Sequence, residues 1–161
     1  MERIGFFVPL VLQALLMLVD EALFHRTRRL PRWERIGHPL DTLTVIACYA
    51  FVLVVPCGRQ ARGVYIGLAA FSTLFVTKDE LVHASHCAGA EHWLHALLFV
   101  LHPVVFLVLA LAWPDLHAPS HAADSLVLVI RGQFVAMLVF VVYQTIYWNV
   151  PWIRPLPPDA A

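Results

Sequence analysis

From Trp93 to Trp113 the chain reads WLHALLFVLHPVVFLVLALAW, and from Ser125 to Trp148 it reads SLVLVIRGQFVAMLVFVVYQTIYW. Each run matches the roughly 20 apolar residues that a helix needs to cross the hydrocarbon of a bilayer. Three further apolar runs precede them, so that 60% of the 161 residues are hydrophobic and only 14% are charged. Lipid accepts apolar side chains but offers nothing to a bare backbone group, which leaves helices that close their own hydrogen bonds as the expected structure.

The expectation is therefore an all-α integral membrane protein, a single transmembrane domain over residues 1–161. Its bundle of about five helices is expected to span at about residues 4–24, 41–56, 61–80, 91–113 and 125–148. Breaks such as RTRRLPRWERIGHP, PCGRQARG and WPDLHAPSHAAD carry the Pro, Gly and charge that punctuate helices. The first run lacks a small-residue cleavage site and continues into Asp20 and Glu21, so it reads as a retained span and not as a signal peptide. Formal charge is zero, which gives no basic face for nucleic acid. Cys48, Cys57 and Cys87 are widely spaced with no CxxC pattern, and read as free thiols.

Basic residues set the expected orientation. Arg26, Arg28, Arg29, Arg32 and Arg35 crowd the first connection, with Lys78 in the third and Arg154 in the tail. The positive-inside rule puts these in the cytoplasm and the N-terminus outside. The arginines serve this topogenic role most simply, and anionic lipid headgroups are a second use.

That topology gathers the polar residues. Asp20, Glu21 and His25 end the first span, and His38 and Asp41 open the second. Asp79, Glu80, His83 and His86 end the third, and Glu91, His92 and His95 open the fourth. All four groups arrive at the cytoplasmic membrane edge. The opposite side offers the sparser Asp115, His117, His121 and Asp124. At helical spacing the groups resolve into pairs: Glu21 with His25, His38 with Asp41, Glu80 with His83, and Glu91 with His95. Residues three or four apart share a helix face, so each helix can point one carboxylate and one imidazole at a common centre. Pro39 suits the first position of the second helix.

Imidazole and carboxylate together suit iron, manganese or zinc, and carboxylates can bridge paired ions. The expected ligands are Glu21, His25, His38, Asp41, Glu80, His83, Glu91 and His95 around two metal ions, iron first, with zinc or manganese as alternatives. Asp20, Asp79, His86, His92 and His102 are additional candidates. Cys87 is a possible soft ligand, more readily a packed residue. Lys78, Tyr143 and Tyr147 are supporting residues, the tyrosines serving equally as an aromatic belt with Trp148 and Trp152. His102 lies two turns beyond His95, roughly 10 Å deeper, as a pocket wall or proton relay.

The Glu80–His83 pair, ELVH, resembles the Glu-x-x-His motif of ferritin-like di-iron carboxylate proteins. The ligand types and their placement also resemble the membrane-embedded hydroxylases and desaturases, with their metal pair near the cytoplasmic face. The resemblance is confined to these motifs. It implies a di-iron oxidoreductase acting on a lipid or other hydrophobic substrate, with an electron donor as partner and membrane lipids around it.

Plainer readings stand beside it. Acids and histidines at span ends can be ion pairs, and they can line a proton or substrate path. Other functions compatible with the cluster are a zinc-dependent membrane hydrolase, a metal-binding or transport protein without catalysis, and, last, a haem-binding bundle centred on His102.

Overall fold

The computed structural model describes residues 4–26, 30–78, 89–119 and 125–150. Among these there are five helices and no strand. Helix α1 covers Ile4–Val19 and continues as a π-helical turn, Asp20–His25. Helix α2 is Arg32–Val54, α3 Arg59–Val76, α4 Gly89–Leu116 and α5 Ser125–Asn149. Four stretches, Gly5–His25, Arg32–Val54, Gly89–Leu116 and Ser125–Asn149, are long and apolar enough to cross a membrane. Helix α3 is not among them, since its first turn spends Arg59, Gln60 and Arg62 on polar groups.

Helix α2 packs on α3, α4 and α5, while α1 lies against α4 and α5. The interior is filled by Leu10, Cys48, Tyr49, Val52, Val105, Leu109, Trp113, Leu126 and Ile130. The outside is apolar too, with Val8, Val11, Leu15, Leu18, Leu107, Leu111, Val135, Val139 and Val142 all exposed. Helices hydrophobic all round fit a setting in which no face meets water.

The second helix begins well before Asp41, where the sequence pattern starts the span. Pro31 supplies the extended backbone of its N-cap (φ −63°, ψ 159°), and Pro39 lies inside the helix and does not open it. A proline there has no N–H for the carbonyl four residues back, which is that of Arg35. Asn149 Nδ2, reaching over from α5, donates to that carbonyl at 3.2 Å. Pro56 likewise withholds a donor from Val52, and His117 Nε2 donates there at 2.9 Å, while Trp113 Nε1 donates to the Val55 carbonyl at 2.7 Å. Asn149 of α5 and His117, just past α4, thus take over hydrogen bonds that the two prolines remove from α2. Much of the supposed Arg-rich connection is therefore helix, and it carries Glu34 and Arg35 into the interior.

Candidate metal centre

The π-helical turn decides which acids face inward. Its signature is the bond from the Arg26 N–H to the Glu21 carbonyl, 3.0 Å, five residues apart. In a regular α-helix Asp20 and His25 would sit about 140° apart around the axis, whereas one wide turn brings them to about 40°. Asp20, Glu21 and His25 are all buried as a result.

Helix α4 brings Glu91 and His95 against them from its first two turns, both buried. His25 Nε2 is 3.5 Å from Asp20 Oδ2 and 3.9 Å from Glu91 Oε1, and His95 Nε2 is 3.2 Å from Asp20 Oδ1. The four residues Asp20, His25, Glu91 and His95 each offer a donor atom within 4.8 Å of the others, a group that could hold a metal ion. Two carboxylates would balance a divalent cation, and two imidazoles suit a transition metal over calcium or magnesium.

His25, Glu34 and His38 form a second group meeting the same distance. The His25 and His38 rings are 4.5 Å apart at their centroids. Glu34 was overlooked in the sequence because it fell in a presumed loop. Its signal was nevertheless present: ERIGH repeats the four-residue spacing of EALFH and EHWLH. An earlier helix start is all that was needed to read it.

Glu21 occupies a different place from Asp20. Its Oε1 accepts Tyr143 Oη–H at 2.8 Å and Trp148 Nε1–H at 3.2 Å, and its Oε2 lies 3.6 Å from His25 Nδ1. Glu21 thus stands behind the imidazole, while Asp20 stands in front of it. Asp41 accepts Lys78 Nζ at 2.5 Å, and Lys78 also lies over the Phe75 ring. Tyr147 stacks on Tyr143 and carries Arg26 above its ring. His92 is half-buried and belongs to neither ligand group. Asp79, Glu80, His83, His86 and Cys87 lie outside the described residues. Cys48 and Cys57 are free thiols.

A cavity of about 110 Å³, open at its mouth, runs inward from these ligands. Asp20, Glu21, His25, His38, Asp41 and His95 line its polar part; Met17, Val45, Leu98, Phe99 and Phe140 line the rest, with Gln13, His102 and Gln144 set among them. His102 is buried two turns beyond His95, its Nε2 3.0 Å from Ser72 Oγ. A separate groove between α1 and α5 shares Met17, Glu21 and Phe140 with this cavity and is otherwise mostly apolar, with Arg26 at its edge.

Comparison with protein-family models, with curated proteins and with solved structures finds no match to this chain.

Proposed function

We propose that the chain is a multi-pass membrane protein, its ligand end in the cytoplasmic half of the bilayer, that works as a di-iron oxidoreductase on a hydrophobic substrate. The observation that carries the reading is the convergence of Asp20, His25, Glu91 and His95, all buried, beside a cavity whose wall is mostly apolar. In this reading those four residues hold one ion, and Glu34 with His38 extends the site toward a second. Iron bound there supplies the redox chemistry, with electrons delivered by an external donor.

The chain's own residues do the rest. Glu21, anchored by Tyr143 and Trp148, holds the Nδ1 side of His25 and so leaves Nε2 facing Asp20 and Glu91. A carboxylate behind a ligating imidazole fixes its tautomer and raises its basicity. Lys78 holds Asp41 at the cavity wall. Met17, Leu98, Phe99 and Phe140 exclude water and suit an acyl or isoprenoid chain, which favours an enzyme over an ion path. The groove shared with α1 and α5 gives such a chain a route from the lipid.

The test is elemental analysis with an absorption spectrum of the purified protein. A pair of irons per chain without a Soret band is expected, lost in Glu91→Ala and His95→Ala. Stoichiometric zinc would replace oxidation with hydrolysis by metal-activated water. No stoichiometric metal, or metal retained fully in both variants, would sink the reading.

A further inference from the structure

Two helical turns inside the ligand group, the cavity holds two polar side chains that the metal chemistry leaves unused, Gln13 of α1 and His102 of α4, while Gln144 of α5 lies nearer the ligands against Thr42. Gln13 is 3% exposed, and its Oε1 has no hydrogen-bond partner among the described residues. An amide oxygen buried without a partner is costly, and a polar group deep in a membrane-spanning helix marks a functional position by default.

Proton counting assigns the second member. Thr44 Oγ1 donates its only proton to the Asp41 carbonyl at 2.8 Å, so in its 2.7 Å contact with Ser72 Oγ it accepts. Ser72 has then spent its proton, and in the 3.0 Å contact with His102 it accepts from Nε2–H. The neutral ring carries one proton, so Nδ1 of His102 presents a lone pair. This polar station therefore combines an acceptor on His102 with the amide of Gln13, able to donate or accept.

We propose that Gln13 and His102 bind the neutral hydroxyl of the substrate, making it a lipid-soluble alcohol or phenol. The hydroxyl donates to His102 Nδ1 and accepts the amide N–H of Gln13. A carbonyl or carboxylate oxygen would instead set its lone pair against that of Nδ1, and an alkane would leave the amide unsatisfied. Seven helical residues separate Gln13 from Asp20 and His95 from His102, so the reacting carbon lies about 10 Å from the hydroxyl. The inference deepens the proposed function and rests on the cavity being its substrate site.

The experiment compares 1-dodecanol, dodecane and dodecanoate on the purified, ¹⁵N-histidine-labelled protein in nanodiscs, following the His102 Nδ1 resonance. Saturable movement with 1-dodecanol alone is expected. Gln13→Leu should weaken 1-dodecanol binding about tenfold, the scale of one buried hydrogen bond, while leaving dodecane unchanged. The same variant should raise the melting temperature of the ligand-free protein, because it removes a buried amide. If the leucine variant does not fold, Gln13→Met serves the same comparison. Equal binding of dodecane or dodecanoate and 1-dodecanol, or undiminished 1-dodecanol binding in the variant, would overturn the proposal. Metal content is measured on the same samples. Discrimination between probes without bound metal would support the polar station and refute the metal reading, whereas bound metal without discrimination would overturn the station alone.

Discussion

Replacing Glu21 by Gln probes the difference between a residue that holds a metal and one that holds a ligand. Glu21 receives Tyr143 and Trp148 on one oxygen, 2.8 Å and 3.2 Å away, and faces His25 Nδ1 with the other at 3.6 Å. Outer carboxylates of this kind are worth about 10–100-fold in metal affinity, or about 1.4–2.7 kcal/mol. Glu21→Gln should therefore weaken the metal by that factor, where loss of Asp20 or Glu91 removes it. Tyr143→Phe strips one charge-assisted hydrogen bond from a buried carboxylate, a loss of about 1.5–3 kcal/mol in stability. Because tyrosine acts on His25 through Glu21, the two substitutions should not add: Tyr143→Phe in the Glu21→Gln background should leave metal affinity where Glu21→Gln put it. The assay is competition with a chelator of known affinity, run beside reversible unfolding in mixed micelles. Wild-type affinity in Glu21→Gln, or full additivity of the pair, would refute the reasoning.

Asn149→Ala should destabilise the fold by about 1–3 kcal/mol, since it strands the Arg35 carbonyl that Pro39 has already deprived of a donor. Pro39→Ala, which restores a backbone N–H, should offset much of that loss in the double variant, as read by the unfolding midpoint. Trp113→Phe should cost a similar amount by stranding the Val55 carbonyl, in excess of the effect of Phe51→Leu beside it. Cys57 sits at the end of the bundle away from the ligands and is half-buried, while Cys48 is fully buried. In a Cys87→Ser background, a membrane-impermeant maleimide should label intact cells at Cys57; labelling only after permeabilisation would reverse the proposed orientation.

The helices and their polar ends were legible because long apolar runs and Pro, Gly and charge breaks leave few alternatives. Which acid meets which histidine was not legible to the same degree. Regular α-periodicity puts Glu21 with His25, and it sets Asp20 on another face; the wide turn reverses the emphasis. Proline grammar placed Pro39 at a helix start, whereas a cross-helix amide makes an interior proline tolerable. That single difference hid Glu34. Asp41 also meets Lys78, a contact between distant stretches of the chain that no local spacing contains. Gln13 was passed over because a lone amide in an apolar run has no pattern; its meaning comes only from the cavity it faces.

The wide turn after Val19 also sets the phase between the two halves of the cavity. In an uninterrupted α-helix Gln13 and His25 would point about 120° apart, and one surplus residue reduces this to about 20°. A single helix thereby serves both the deep amide and the outer imidazole, working as a vernier with a step of one residue. Deleting one residue within Asp20–His25 would leave a helix that is still apolar and still long enough to span. Because it removes the surplus residue, that deletion would also keep the two ends in phase, whereas regular α-helical winding of the full-length segment would turn them about 120° apart and away from a common chamber.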